Sequence, residues 1–251
     1  MIKIRRYLSS LLLIFFMWYI FAAVASPIIP SPINALKTFC LELKTELLIH
    51  IGFSLYRVIV SIVMAFLVGV PFGLVMGQEK NLDDVFSTLF FFLYPVPKIV
   101  FLPVLLMLLG LGDLPRIILI TFIIFFQLTV TARDASKNVH KSYIDSLKSL
   151  GGGKWDVYKH VIIPASLPSI FTSLRISLGT ALSVLFFTET FATNRGIGFY
   201  IMDAWIRVDY EELFAGIIGM SLIGIILFKL LEIVERRICK WKSESRTLLK
   251  N

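Results

Sequence analysis

The chain has 251 residues, a net charge of +8, a hydrophobic fraction of 57% and a charged fraction of only 17%. Soluble domains are about half apolar and about a quarter charged, and here the apolar residues form runs of about 20, the length that a bilayer-spanning helix needs. The basic residues lie between these runs, as the positive-inside rule places them, and not on a basic face with interleaved aromatics. The composition therefore indicates an all-α, polytopic membrane protein and argues against nucleic-acid binding.

Six membrane spans are predicted in chain order, at about residues 8–25, 55–76, 85–109, 115–131, 167–191 and 212–234. The first has an alternative, because Ala23-Val24-Ala25 before Ser26 is typical of the cleavage site of a signal peptide. Its long apolar run, with Trp18 and Tyr19 near the outer end, favours a retained helix.

The third predicted span is interrupted by Pro95, Pro97 and Pro103. Proline removes a hydrogen bond from a helix, and in a membrane the neighbouring helices can satisfy the freed carbonyls. Broken helices of this kind commonly line a cavity, so the third span is expected to do so.

The basic residues also give the orientation of the spans. With the amino terminus inside, the inner segments carry sixteen lysines and arginines and the outer segments carry five. Because cytoplasmic segments are enriched in these residues, both termini are expected in the cytoplasm. Cys40 would then lie outside and Cys239 inside, so no disulfide is expected within one chain.

The longest polar stretch lies between the fourth and fifth spans. Asp145–Leu150 is predicted to form a short helix. The Asp145 carboxylate at its amino-terminal end would interact favourably with the helix dipole. Lys154–His160 begins a second helix, and the break between the two favours positive φ at Gly151. One face of the pair is apolar, which suits either docking in the groove of another protein or contact with lipid headgroups.

The order of residues from Asp145 through Gly151 to Ile163-Pro164 and Leu167-Pro168 resembles the cytoplasmic EAA loop of ABC-importer permeases. The resemblance covers about residues 29–241. Its further motifs, those of the nitrate, sulfonate and taurine branch, are Ile29-Pro30-Ser31-Pro32, Pro95–Ile99, Leu102-Pro103, Gly110–Asp113, Gly196–Ile201 and Phe214–Ile217.

The sequence departs from the pattern of this family at several positions of the loop. Asp145 replaces the usual Glu, and Ser146 and Leu147 replace two alanines. Gly152 and Gly153 replace residues that are usually less flexible, which predicts a looser loop.

The resemblance implies the type I permease fold and a homodimer in the lipid of the bacterial inner (plasma) membrane. It implies ABC ATPase subunits that bind ATP and Mg²⁺, with no cofactor in this chain, and a periplasmic or lipid-anchored substrate-binding protein. The solute would be a small organic or inorganic anion, such as a sulfonate, taurine or nitrate, or a vitamin precursor. The ATPase-coupling loop, about residues 133–166, would act through Asp145, Ser146, Leu147, Gly151, Trp155, Pro164 and Pro168.

Three polar side chains within the predicted spans are candidates for the substrate pathway: Lys98, Gln127 and Glu189. Charges inside a bilayer are costly and mark either a pathway or a pair, and Glu189 matches a position that is acidic in the resembled family. Lys98 could attract an anion or form a structural pair, and Glu189 could line the pathway or hold helices together. A pair between Lys98 and Glu189 is compatible with the spans but is not required. Arg175 is expected to snorkel toward the cytoplasm or to form a structural pair.

The sequence lacks the motifs expected for nucleotide binding, metal binding or catalysis within this chain. Gly151–Lys154 is not a phosphate-binding loop, because Lys148 stands where the first glycine is required and Trp155 where Ser or Thr is required. The three histidines have no metal-ligand spacing, so no metal site is expected. An intramembrane enzyme would need a group of reactive side chains at membrane depth, and the sequence shows none. An ion-driven transporter would usually show inverted repeats, which the sequence does not suggest. An importer driven by ATP on a partner chain is therefore predicted.

Overall fold

The computed structural model describes residues 2–241, and among them the side chains of residues 9, 10 and 12–241. Every regular element in this part of the chain is helical, which confirms the predicted all-α class. The α-helices are α1 (Ile2–Val24), α2 (Pro32–Glu42), α3 (Leu47–Gln78), α4 (Lys80–Leu93), α5 (Leu102–Leu109), α6 (Leu114–Lys137), α7 (Lys141–Ser149), α8 (Lys154–Val157), α9 (Ile163–Glu189), α10 (Ile197–Ile206) and α11 (Tyr210–Ile238).

In the described part of the chain, four helices are long and apolar enough to cross a membrane: α3, α6, α11 and the continuous helix Lys154–Glu189, which contains α8, a π-helical turn and α9. A fifth span is added within the described residues if α4 and the helix Lys98–Leu109, which are bent by 81°, are counted as one. The first of the six predicted spans falls on α1, and the part of α1 from Leu12 to Val24, where the side chains are described, is an apolar helix.

The bend after α4 has a sequence origin. Pro95 and Pro97 follow the end of α4 and have no amide hydrogen with which to continue it. The chain becomes helical again at Lys98, in a 3₁₀ turn that leads into α5. Pro103 lies in the first turn of α5, where no amide donor is needed.

The chain divides into two compact units. One unit consists of Met1–Leu55 and Phe186–Ile223, and the other of Tyr56–Leu185 and Gly224–Asn251. The core of the first unit joins α2, α10 and the starts of α3 and α11 through Phe39, Leu47, Tyr200 and Ala215.

Helix α1 packs within the same first unit through Trp18. Its indole N–H donates to the Pro30 carbonyl at 3.1 Å, and its ring stacks on Phe214 with 5.7 Å between the ring centroids. The end of α1 is therefore fixed against both the segment before α2 and the start of α11.

In the second unit, the backbones of α3 and α6 approach closely. Gly69, Gly73 and Gly77 recur every four residues along α3 and face α6. A Cβ on Gly73 would overlap the Thr129 carbonyl oxygen and would lie 2.8 Å from Ala132 Cβ. Small residues at this spacing allow two membrane helices to pack backbone against backbone.

Two side-chain hydrogen bonds add to this contact. Ser136 Oγ donates to the Leu74 carbonyl at 2.8 Å, and Gln78 Nε2 donates to the Ser136 carbonyl at 2.7 Å. Helix α4 joins the pair through a buried cluster that includes Phe90 and Phe126. Helices α3, α4 and α6 are thus packed together, and the polar segment at residues 138–153 follows the end of α6.

The predicted orientation can be tested by cysteine labelling. Cys40 is exposed, but Cys239 is only 4% exposed, so a failure to label Cys239 would say nothing about its side of the membrane. We expect a membrane-impermeant maleimide to label Cys40 in intact cells, after permeabilisation of any outer membrane. Ser149→Cys, in a chain with Cys40→Ser and Cys239→Ser, should react only after the inner membrane is opened. Labelling of both positions in intact cells would contradict the predicted topology.

Candidate coupling surface and pathway residues

The predicted coupling region is an ordered helix–turn–helix. After α7, the Gly151 N–H donates to the Lys148 carbonyl at 2.9 Å and the Gly152 N–H donates to the Leu147 carbonyl at 3.0 Å, which is a Schellman motif. Gly151 has φ +86°, the conformation expected at this break. A Cβ on Gly152 would lie 2.9 Å from the Leu147 carbonyl oxygen. Glycine is therefore required at both positions.

Two expectations for this region differ from the structure. Helix α7 begins at Lys141, because no glycine or proline interrupts the residues before Asp145, and its first turn contains no acidic residue. The Asp145 carboxylate therefore does not stabilise the helix dipole at the start. The expected looseness is also not seen, since the Gly153 N–H donates to the Asp156 carboxylate at 2.9 Å and starts α8.

Three large side chains of the region face away from the fold. Tyr143, Leu150 and Trp155 are 65%, 84% and 73% exposed, and we call them the apolar face of the coupling region. Asp145 is exposed as well, whereas the Ser146 hydroxyl donates to the backbone of its own helix at 2.7 Å. Several large exposed apolar side chains within one short polar segment are typical of an interaction surface.

The second helix of the region continues into α9 through the π-helical turn Tyr158–Ile162. The Ile163 N–H donates to the Tyr158 carbonyl, five residues earlier. Pro164 follows directly; it lacks an amide hydrogen and its ring crowds the carbonyl four residues before it, which a wider turn relieves. Pro168 lies inside α9. Of the apolar face, Trp155 thus lies on the same continuous helix as α9.

An ion-pair cluster that the sequence analysis missed lies beside the coupling region. Asp83, at the start of α4, is 6% exposed and accepts from Arg133 Nη2 at 2.9 Å and Lys137 Nζ at 2.7 Å. Lys154 Nζ also lies 3.6 Å from the Glu79 carboxylate. Because the Asp83 carboxylate is buried and both of its basic partners lie near the end of α6, the cluster fixes the end of α6 to α4. The available signal was the acidic pair Asp83-Asp84 at the start of an apolar span.

Gln127 lines a cleft between α6 and α9, together with the hydroxyl side chains Thr131, Ser169, Thr172 and Ser173. Thr131 and Ser169 also line an adjoining cleft of about 520 Å³. We call the two clefts the α6–α9 groove. A polar groove between apolar helices keeps Gln127 as a candidate for the substrate pathway.

Lys98 lies at the bend between α4 and α5. Its ammonium donates to the carbonyls of Leu93, Tyr94 and Val96 at 3.2, 3.3 and 3.4 Å and lies 4.8 Å from the centroid of the Phe126 ring. A cation is favourable both at the carboxyl end of a helix and over an aromatic face. These contacts favour a structural role for Lys98.

Glu189, at the end of α9, is fully buried. Its carboxylate accepts from the Ser54 hydroxyl, 2.8 Å from each oxygen, and from the Gly198 N–H at 2.9 Å. The Ser54 oxygen accepts from the Ile197 N–H at 2.8 Å. Because these amides belong to the first turn of α10, Glu189 and Ser54 cap that helix, where a negative charge is favoured.

Backbone conformation explains glycine at position 196, and close packing explains glycine at position 198. Gly196 has φ +118°, and its N–H donates to His50 Nδ1 at 3.1 Å. A Cβ on Gly198 would lie 2.6 Å from Glu189 Cβ and 2.6 Å from the Phe186 carbonyl oxygen. The contacts of Glu189 therefore favour the structural alternative, in which it fixes α9 to α10.

Three arginines within the second unit have local partners. Arg175 pairs with Glu235, which agrees with the structural alternative for that residue. Arg57 Nη2 lies 2.6 Å from the Asp113 carboxylate, and Arg116 donates to a carbonyl of the preceding turn at 3.0 Å. Arg57 and Arg116 are both almost completely buried. The sequence analysis assigned neither a role, although an arginine within an apolar run is itself a signal.

Comparison with known proteins places this geometry in a family. Residues 69–240 match the model of the family described as "binding-protein-dependent transport system inner membrane component". The chain is 32% identical over 195 residues to the taurine transport system permease protein TauC of Escherichia coli (strain K12), with 78% of this chain and 71% of that protein covered. It is 27% identical to the putative aliphatic sulfonates transport permease protein SsuC of Bacillus subtilis (strain 168), with 88% and 80% covered.

The fold has a counterpart among solved structures. A chain from the inward-facing conformations of the MetNI methionine ABC transporter matches with a TM-score of 0.64 and 18% identity, over 77% of this chain and 95% of that chain. This likeness concerns the fold. The match over most of the sequence, together with the identity to the taurine permease, shows that the chain belongs to the family of inner membrane components of binding-protein-dependent transport systems.

Proposed function

We propose that this chain is the permease subunit of an ATP-driven importer of small solutes. Separate ABC ATPase subunits, which would hold ATP and Mg²⁺, dock on the coupling region. A periplasmic or lipid-anchored binding protein delivers the solute on the other side of the inner membrane. The permease acts as a homodimer with both termini in the cytoplasm. The observation that carries this proposal is the apolar face on an ordered helix–turn–helix in a member of this transport family.

The arrangement of the coupling region suits transmission of a mechanical signal. Closure of the ATPase subunits on ATP would push the coupling regions of two permease copies together, and hydrolysis would reset them. The energy for this change comes from the different affinities of the partners for the two states. The continuous helix Lys154–Glu189 and the Schellman turn at Gly151 give the moving surface a defined backbone.

The proposed solute is a small organic or inorganic anion, such as a sulfonate, taurine or nitrate, or a vitamin precursor. The relatives named for taurine and aliphatic sulfonate transport support this class. Selectivity would rest chiefly on the binding protein, because the permease must release the solute as readily as it accepts it.

Replacing Trp155 by alanine tests the docking surface. Trp155→Ala should leave the amount of permease in the membrane unchanged, because the side chain is 73% exposed. It should remove a central apolar contact with the ATPase, and loss of such a contact costs at least about 2 kcal/mol. Co-purification of the ATPase of the same system, and ATP hydrolysis stimulated by the loaded binding protein, should both fall at least about tenfold.

A second tryptophan provides the matched control. Trp205 in α10 is 58% exposed and is predicted to lie on the opposite side of the membrane. Trp205→Ala should retain the ATPase during purification. Recovery of the ATPase and stimulated hydrolysis at the level of the unchanged protein in Trp155→Ala would show that the coupling surface is wrongly assigned.

A further inference from the structure

One cleft of the α6–α9 groove lies at the predicted inner ends of two helices that are apolar enough to span a membrane, and the other extends into the predicted coupling loop. Polar side chains within a span are placed toward protein or a water-filled cavity, because exposure to lipid is costly. The groove combines Gln127, Thr172 and Ser173 with Thr131 and Ser169, and extends toward Asp134, Asn138, His140 and Tyr143. These side chains give the groove a polar surface with which a passing solute can form hydrogen bonds.

Two of the four hydroxyl groups named for the groove, those of Thr131 and Thr172, donate their protons within its own wall. Thr172 Oγ1 donates to the Pro168 carbonyl at 2.9 Å. Thr131 Oγ1 lies 3.0 Å from the Gln127 carbonyl and 3.0 Å from Ser173 Oγ. Each hydroxyl has one proton and two acceptor lone pairs. The wall therefore offers a solute more acceptors than donors.

The charged groups that line the groove point to the same preference. In the part of the chain that the structure describes, neither lysine nor arginine lines either cleft. Asp134 lines the cleft of about 520 Å³, with its carboxylate 2.9 Å from Arg133 Nη1. The half-buried Gln127 amide has no side-chain hydrogen bond among the described residues and can meet a solute as donor or acceptor. An oxyanion in the groove would find no lysine or arginine in its lining.

We infer that the α6–α9 groove favours solutes that carry a protonated amine over simple oxyanions. The inference rests on the proposed function and narrows its solute class. An amine-bearing organic acid can place its ammonium group against the acceptor oxygens of Thr131, Thr172 and Ser173. Nitrate and unsubstituted alkanesulfonates have no such group.

Thiol labelling measures this preference without any transport. Thr172→Cys is placed in a chain with Cys40→Ser and Cys239→Ser, purified and reconstituted in lipid nanodiscs. Its reaction rates are measured with aminoethyl and sulfonatoethyl methanethiosulfonate, which share one reactive group and differ in charge. After division by the same ratio for free mercaptoethanol, the ratio of ammonium to sulfonate rates should be about five or more. Ser169→Cys gives a second reading at an exposed position in the same groove.

A cation added to the groove provides the matched control. Ser169→Lys, combined with Thr172→Cys, should lower the normalised ratio to about one or below. A normalised ratio of one or less in the groove without the added lysine would overturn the inference. So would a lack of reaction with both reagents, because the groove would then not be open to water. Neither result would alter the ATPase docking test of the proposed function, because that test changes Trp155, which does not line the groove.

Discussion

Replacing Gly73 by alanine is expected to remove most of the folded permease from the membrane. The new Cβ would overlap the Thr129 carbonyl oxygen and would lie 2.8 Å from Ala132 Cβ. The overlapping group is backbone of α6, so it cannot move aside by changing rotamer. Over-packing of this kind costs about 3 kcal/mol at the upper end of the usual range. Permease abundance in membranes and the midpoint of thermal unfolding in detergent should both fall.

Gly179 in α9 is the matched control for Gly73. A Cβ there would meet no atom within 4 Å, and alanine is better than glycine inside a helix by about 1 kcal/mol. Gly179→Ala should therefore be as abundant and as stable as the unchanged chain, or slightly more so. If Gly73→Ala behaves like Gly179→Ala, α3 and α6 do not pack as closely as the structure has them.

The glycine contact illustrates what one sequence contains and what it lacks. The spacing of Gly69, Gly73 and Gly77 is visible in the sequence and is typical of a helix-packing face. The partner is not visible, because the small residues Ala132 and Ser136 gain meaning only in the register that brings α6 against α3. Local pattern predicts the face of a helix, whereas pairing depends on how all helices pack.

The bent span shows the same limit. Pro95 and Pro97 predict an interruption, and the structure has one there, with an angle of 81°. The role of Lys98 could not be read in the same way. The carbonyls of Leu93 and Tyr94 accept from its ammonium, and this depends on the path that the chain takes after the break.

The coupling region was the most predictable part of the candidate site. The break at Gly151 and its positive φ follow from local chemistry, since a tight turn between helices needs a residue without Cβ. Helix α7 begins at Lys141, four residues before the predicted start at Asp145, because no glycine or proline interrupts the residues between them.

Counting the basic residues did not identify the contacts of Arg57 and Arg116. Counting predicts the side of the membrane from the totals alone. Arg57 and Arg116 are almost completely buried, and their contacts with Asp113 and with the turn before α6 exist only in the folded chain. A buried guanidinium requires partners, so these two residues could be flagged from sequence but not paired.

Replacing Gly198 by alanine is expected to have an effect as large as the change at Gly73. The added Cβ would lie 2.6 Å from the Phe186 carbonyl oxygen and 2.6 Å from Glu189 Cβ. To make room, α10 would have to move away from the end of α9, and the Gly198 N–H would leave the Glu189 carboxylate, now 2.9 Å away. We expect a loss of about 3 kcal/mol, measured as reduced abundance in membranes and a lower midpoint of thermal unfolding.

Gly52, in the same unit, gives the control for this change. A Cβ on Gly52 would meet no atom within 4 Å, so Gly52→Ala should remain at normal abundance. Together the two variants bear on the role of Glu189. If the carboxylate chiefly caps α10, displacing its partner amide lowers stability before any transport is measured, because a buried acceptor loses a charge-assisted hydrogen bond worth about 1.5–3 kcal/mol. Normal abundance and stability in Gly198→Ala would mean that this cap is dispensable. Glu189 would then again be a candidate for the substrate pathway.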